Sequence, residues 1–293
     1  MGESDCGGKK VIFFMKKIYL IMLIILAIVA GLFFYTHFSS HPAFRVVFLN
    51  VGQGDATLID FNNGARMLVD CGPDRKILSK LGKYLPFFDR QIDYLLISHP
   101  DLDHYGGCVD VLKRYDIKNI IGNGAIKTDP YFQTWEKYVQ KENAQNIVIA
   151  TSQNWEIGSS TLQFLSPDPG LGLPAKEEEG NNLSIVFKLI NGDESFLLTG
   201  DAEEILENAL VKKHCPSSTI PCEFLHSNYL KLGHHGSDSS SGEAFLQAVA
   251  PDTAIISVGK NTFGHPSRRI LKRLERADAD IWRTDVRGDI ILQ

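Results

Sequence analysis

The chain of 293 residues lacks an excess of positive charge: 30 Lys and Arg stand against 35 Asp and Glu, a formal net charge of -5. Bulk attraction to a polyanion is thereby excluded, so any nucleic-acid chemistry must rest on a local patch or on metal ions. The five cysteines, Cys6, Cys71, Cys108, Cys215 and Cys222, include no C-x-x-C pair, which argues against a zinc knuckle. No internal repeat is evident. With 44% hydrophobic and 22% charged residues, the composition is not that of a disordered chain. Cys71 and Cys108 read as small buried residues beside motif loops. Cys215 and Cys222 bracket a short loop and read either as two thiols or, in an oxidising space, as a disulfide.

A charge-free apolar run is present instead, from Ile18 to Phe34. Extended to Phe38, it is long enough for a helix to cross the ~30 Å hydrocarbon layer. Lys9, Lys10, Lys16 and Lys17 precede it, and Arg45 is the first Lys or Arg after it. The positive-inside rule therefore predicts a cytoplasmic tail at 1–17, a single-pass transmembrane anchor at 18–38 and an extracytoplasmic domain at 44–293. Tyr19 and Tyr35 sit near the two interfaces. A signal peptide cut near Ser39 and Ser40 is the competing reading, against which stand the length of the run and the lack of an A-x-A site. Translation starting at Met15 would remove the tail.

Beyond Phe44, short apolar runs alternate with helical patterns. Strands are expected at Phe44–Asn50, Ala56–Phe61, Arg66–Asp70, Tyr94–Ser98, Ile117–Ile121, Ile147–Ala150, Thr161–Leu165, Leu183–Leu189, Ser195–Thr199, Tyr229–Leu232 and Thr253–Val258. Helices are expected at Gly107–Arg114, Tyr131–Glu142, Ala202–Lys213, Glu243–Ala250 and Pro266–Ala277. Asn62-Asn-Gly64 is a hairpin signal. Runs such as Tyr94-Leu-Leu-Ile97 predict strands buried on both faces, hence sheets covered by helices. Residues 167–180, with Pro, Gly and Lys176-Glu-Glu-Glu179, read as a mobile surface loop. No linker inside 44–293 argues for a second domain.

The sharpest chemical signal is His99-Pro-Asp101-Leu-Asp103-His104, followed by Gly106-Gly107. Two imidazoles and two carboxylates leave one buried strand together, a mix of nitrogen and oxygen donors that suits Zn²⁺ or Mn²⁺. Three further clusters also follow apolar strands. Asp201 ends one; it reads as a helix N-cap or as a carboxylate bridging two metals. His234-His235-Gly236-Ser237 ends another, and adjacent side chains diverge, so only one histidine is an easy ligand. Asn261-Thr-Phe-Gly-His265-Pro266 follows the third.

Taken in order, these motifs resemble the metallo-β-lactamase superfamily, and within it the ComEC-like competence-protein branch. Phe48-Leu-Asn-Val-Gly-Gln-Gly-Asp55 resembles that branch's opening signature, and Arg283-Thr-Asp285 with Gly288 its closing strand. The likeness covers roughly 44–293. It implies an αββα sandwich with one or two divalent metals, Zn or Mn, at one edge of the sheets. His99 and Asp101 would serve the first metal and Asp103 and His104 the second; Asp201 would bridge them and His235 complete the second. Asp55 and Asp70 would stand behind these ligands. Asp101 replaces the second histidine of the general motif, as in the ComEC-like branch. No histidine is evident for the third position of the first metal, where Asn181 or Asn182 stands nearby; such a site suits oxygen-preferring Mn²⁺.

The resemblance implies a metal-dependent hydrolase, a nuclease or phosphodiesterase acting on extracytoplasmic DNA in uptake or scavenging. Asp103 is expected to orient or deprotonate water, His265 or His234 to stabilise or protonate the departing group, and Ser237, Lys260 and Asn181 to contact substrate. Expected partners are DNA, the membrane and competence or DNA-uptake membrane proteins, since one span alone makes no DNA channel. Residues 268–287 carry Arg268, Arg269, Lys272, Arg273, Arg276, Arg283 and Arg287 against four acids, which would guide a strand or simply be a solvated helix. Glu177–Glu179 argue mildly against a polyanion near Asn181. Hydrolysis of small esters, lactones or amides is a second reading, and a non-catalytic binding module a third; the full ligand set disfavours the third.

Overall fold

The computed structural model describes residues 6–38, 43–173, 180–215 and 221–293. The expected cut at Ser39–Ser40, the acidic segment 176–179 and the loop 216–220 lie outside them. Two units are distinct, residues 1–42 and 43–293. In the first, α1 (Cys6–Phe38) contains one stretch, Phe14–Leu32, long and apolar enough to cross a membrane, and its side chains are exposed to the surroundings.

The second unit begins with β1 (Arg45–Phe48), β2 (Thr57–Asp60), β3 (Arg66–Val69), α2 (Lys76–Tyr84), β4 (Gln91–Leu96), the single turn α3 (Leu102–Tyr105), α4 (Cys108–Leu112), β5 (Asp116–Gly122), α5 (Pro130–Lys141) and β6 (Gln145–Val148). It continues through β7 (Gln153–Ile157), β8 (Ser160–Ser166), β9 (Val186–Asn191), β10 (Glu194–Leu198), α6 (Glu204–His214), β11 (Tyr229–Lys231), α7 (Glu243–Val249), β12 (Thr253–Ile256), α8 (Arg268–Arg276), β13 (Asp280–Arg283), α9 (Thr284–Arg287) and β14 (Ile290–Leu292). The strands form two seven-stranded mixed sheets, ordered β14-β1-β2-β3-β4-β5-β6 and β13-β12-β11-β10-β9-β8-β7. β3 to β6 run parallel in the first, and β10 to β13 in the second.

Period-two alternation sends side chains to opposite faces of each strand, and here both faces are buried. In β1, Val46 and Phe48 enter the core between the sheets, while Val47 faces the helical side with Ile77 and Leu81 of α2 and Phe132 and Trp135 of α5. On the second sheet, Leu197, Leu230 and Ala254 pack outward against Leu206, Leu246 and Ile270 of α6, α7 and α8. Three apolar layers between four layers of secondary structure make the αββα sandwich that the motifs implied.

Several local expectations shift. α2 is not among the expected helices, yet Ile77 and Leu81 recur at helical spacing and are buried. Leu183 ends a 3₁₀ turn, and the strand begins only at Val186. The expected closing strand at Arg283–Gly288 is the helical turn α9, flanked by β13 on one sheet and β14 on the other. Cys71 pairs with Cys108, although the sequence marked them only as small buried residues beside motif loops; Cys215 pairs with Cys222, the second of the two readings given for them.

Candidate metal centre

The parallel strands of both sheets end at one edge of the sandwich, and the motif loops leave these ends, except the glycine turn to Asp55, which leaves β1. Asp70 follows β3 and His99 follows β4. Asp201 follows β10, His234 and His235 follow β11, and His265 lies beyond β12.

Asp70 takes a left-handed backbone, φ 56°, which turns its carboxylate back across the neighbouring strand. There it accepts from the Ser98 N–H at 2.8 Å and the Ser98 hydroxyl at 2.7 Å, and lies 2.8 Å from His104 Nδ1. α3 is what carries Asp103 and His104 beside it. The preceding glycine turn is pressed against this helical turn: at Gly54, φ 140°, a Cβ would stand 2.4 Å from the Asp103 carbonyl oxygen. Only glycine accepts both the conformation and the approach. The Asp55 N–H then donates to that carbonyl at 3.2 Å.

From the second sheet, His234 and His235 are both left-handed, φ 49° and 54°, a costly conformation for two successive non-glycine residues. The twist splits them. His235 turns inward, where Nδ1 meets the Ser257 carbonyl at 2.9 Å and Nε2 lies 3.1 Å from Asp103 Oδ2 and 3.6 Å from Asp201 Oδ2. His234 turns outward, with Nδ1 3.3 Å from Glu203 Oε1 and 3.4 Å from Asn181 Nδ2.

With their Nδ1 atoms taken by Asp70 and Ser257, His104 and His235 direct Nε2 into the same space. His104 Nε2 lies 3.3 Å from Asp201 Oδ1, and the His99 and His104 ring centroids are 4.2 Å apart. His99 Nε2, His104 Nε2, Asp201 Oδ1 and Asp55 Oδ1 are buried with no hydrogen-bond partner. Buried polar atoms without partners are costly, and their convergence here is the signature of donors set for a cation. Four overlapping trios place their donor atoms within 4.8 Å of one another: His99, His104, Asp201; Asp103, His104, His235; Asp55, Asp70, His104; and Asp55, Asp201, His235. Imidazole and carboxylate together fit a divalent cation such as zinc or manganese.

Proton affinities in the cluster are strongly displaced. Burial pushes His99 down to about 4, with His104 adding to the effect. Burial also lowers His104 and His235, but Asp201 with Asp70, and Asp201 with Asp55, outweigh it; His104 is raised well above its usual value and His235 to about 10. Asp201 and Asp55 are pushed up by burial, yet their neighbouring cations and imidazoles hold both carboxyls below the usual range.

Asp101 stands apart from the trios. It is partly exposed, with Oδ2 3.7 Å from His99 Nε2 and Oδ1 paired with Lys127. His265 sits at the rim, its ring 5.5 Å from that of His234 and its Nδ1 buried without a partner. Burial and His234 lower its pKa. Ser237 is buried and bonded to the Ser239 hydroxyl at 3.0 Å, whereas Lys260 is exposed with no ion pair among the described residues. Sequence reasoning missed Lys231: buried at the end of β11, its ammonium pairs with Asp55 and donates to the Gly200 carbonyl at 3.0 Å. A lone lysine inside an otherwise apolar strand was the available signal.

A family model described as the metallo-beta-lactamase superfamily matches residues 49–260. ComE operon protein 3 of Bacillus subtilis (strain 168) is 31% identical over 278 residues, which cover 88% of this chain and 34% of that protein. Competence protein ComA of Neisseria gonorrhoeae is 33% identical over 200 residues, covering 68% and 25%. The chain thus spans about a quarter to a third of the length of these curated relatives. Among solved structures, the metallo-beta-lactamase fold protein YhfI from Bacillus subtilis superposes with a TM-score of 0.56 at 14% identity, over 85% of this chain and 99% of that one. At that identity the likeness speaks for the fold alone.

Proposed function

The chain belongs to the metallo-β-lactamase superfamily, and from that premise we propose that it is a membrane-anchored, metal-dependent phosphodiesterase acting on DNA outside the cytoplasmic membrane. The observation that carries the hydrolase reading is the convergence of unpartnered His99, His104, Asp201 and Asp55 atoms, contributed by both sheets. His99, Asp103, His104, Asp201 and His235 would hold one or two cations, with Asp101 at the margin. A divalent cation bound there would polarise the phosphodiester and make water a nucleophile near neutral pH.

The chain's own groups would do the rest. Asp103 is half-open to solvent and its pKa is lowered, because His235 and His104 outweigh its burial, so it is ionised and ready to orient or accept a proton from water. Asp70 and the Ser257 carbonyl fix the ring orientation of His104 and His235. His265, neutral at neutral pH, would donate a hydrogen bond toward a phosphoryl oxygen. The DNA-uptake context rests on the competence-protein relatives. The anchor reading rests on α1 and the lysines before its apolar stretch, and the two disulfides suit an oxidising compartment.

The test is metal analysis of the full-length chain in detergent, followed by incubation with single- and double-stranded DNA and Mn²⁺ or Zn²⁺. Cleavage that disappears in Asp103→Ala is expected. Turnover of a lactone or ester while DNA stays intact would replace the phosphodiesterase reading, and failure to take up metal would end it.

A further inference from the structure

Phe263 is 72% exposed, although it stands two residues from His265 at the rim of the site. Its ring centroid is 5.7 Å from that of His265, which in turn is 5.5 Å from His234. The loop that presents it is not slack. Asn261 Oδ1 accepts from the N–H groups of Phe263, Gly264 and His265 at 3.1, 2.9 and 3.1 Å, and Asn261 Nδ2 donates to the His265 carbonyl at 2.8 Å. An apolar ring is thus held rigidly in water at the rim of the site, linked through His265 and His234 to the inner cluster.

The segment that follows is tied to the same place. The Ser267 N–H donates to the Gly236 carbonyl at 2.9 Å, directly beyond His234 and His235, and the Ser267 hydroxyl caps α8. Ile270 and Leu274 bury one side of α8, and Arg273 is spent on Glu204 and two carbonyls. Arg268, Arg269 and Lys272 are exposed and make no ion pair among the described residues. With Arg276 and Glu243 they line a cavity of about 320 Å³. These cations follow directly on Ser267, whose N–H is bonded behind the His234–His235 pair, and they stand in a chain whose net charge is -5.

We infer that Phe263 and the exposed basic face of α8 form a binding track for single-stranded nucleic acid, with one unstacked base lying on the Phe263 ring and the next phosphates held by Arg268, Arg269 and Lys272. A flat apolar ring beside unpaired cations is the combination that single strands use, because every base offers a π-face once it leaves the stack. A duplex keeps those faces against each other and can use the cations only. The inference rests on the reading of the neighbouring site as a DNA-cleaving one and names the form of DNA it takes.

The experiment is fluorescence anisotropy on the full-length chain in detergent, with EDTA present to prevent cleavage. The probes are a labelled oligothymidylate, its abasic counterpart and a duplex of equal length. Phe263→Ala is expected to weaken oligothymidylate binding ~10-fold while leaving the abasic strand and the duplex unchanged; Phe263→Trp retains binding. The combined Arg268→Ala, Arg269→Ala, Lys272→Ala variant is expected to weaken binding of all three probes and to flatten the salt dependence on the single strand by about 2 in log–log slope. The track is overturned if Phe263→Ala matches the unaltered chain on every probe, or if the abasic strand binds as tightly as oligothymidylate. Metal-dependent DNA cleavage with Phe263-independent binding would keep the phosphodiesterase and remove the track. Phe263-dependent binding without cleavage would do the reverse.

Discussion

Lys231 and Asp55, 176 residues apart in sequence, form a buried ion pair that joins the strand end of one sheet to the glycine turn of the other. Both side chains are almost wholly out of solvent. Removing one partner of a buried pair costs about 3–5 kcal/mol when nothing else compensates the remaining charge, and the His235 and His104 rings beside Asp55 reduce that cost here. Lys231→Met is therefore expected to lower the urea midpoint of the metal-free protein by a corresponding amount, and adding Asp55→Asn to recover part of the loss. A Lys231→Met variant as stable as the parent would show that the pair contributes nothing.

Cation binding must displace protons. With His235 pushed up to about 10 and His104 also raised, both rings are protonated at neutral pH in the metal-free protein. Calorimetric titration with Zn²⁺ or Mn²⁺, repeated in buffers of different ionisation heat, is expected to show at least one proton released per cation. Affinity should fall as the solution is acidified. Equal heats in all buffers would contradict the assignment of these rings as ligands.

Asp70 acts on the site through His104. A carboxylate only accepts, so it holds a proton on His104 Nδ1 and makes Nε2 the nitrogen that gives up its proton when a cation binds. In Asp70→Asn the amide donates to Nδ1 in one orientation and moves the proton to Nε2. Metal affinity is expected to drop about 10- to 100-fold, read by competition with a chromophoric chelator, with the far-ultraviolet dichroism unchanged.

Glu207 offers a pH signature away from the cluster. Burial raises its pKa from 4.5 to about 8, against the pull of the Gly242 and Ser241 N–H groups. The folded form thus holds its proton more tightly than the unfolded chain does. Its contribution is full below about 4.5 and is lost as pH rises toward about 8. The thermal midpoint should decline across that window, and Glu207→Gln should flatten the decline. Glu207→Ala, which strands two buried N–H donors, is expected to cost about 1–3 kcal/mol per donor.

The Cys71–Cys108 disulfide closes a sequence separation of 37 between the loop after β3 and the start of α4. Cross-linking of this kind contributes about 2–4 kcal/mol. Joint replacement of both cysteines by serine should lower the unfolding free energy by that amount, measured in urea. Thiol-reactive probes added without reductant should leave Cys71 and Cys108 unlabelled.

The motif loops were legible because their polar residues interrupt apolar strands whose burial is itself readable. His99–His104 and His235 announce themselves by residue type, and the structure brings them together with Asp201. Lys231 was hidden because its neighbours Leu230 and Leu232 read as an ordinary buried strand. The diversion of Asp101 toward Lys127 depends on a loop 26 residues on, which no local pattern encodes. β7, Gln153–Ile157, escaped notice because two of its five residues face solvent and its sequence is largely polar. α2 escaped because Lys76, Lys80 and Lys83 and the helix-disfavouring Gly82 dilute the apolar pair Ile77 and Leu81. The disulfide at Cys71 depends on the loop after β3 meeting the start of α4 on the helical side of the first sheet.

The donors come from both halves of the chain: Asp55, Asp70, His99, Asp103 and His104 from the first sheet, Asp201 and His235 from the second. A polypeptide severed between β6 and β7 would yield two fragments, each holding an incomplete set. Mixed together, they should capture the ion only as they reassociate, so that metal uptake would report fragment complementation, and the ion would act as the rivet of the mended protein.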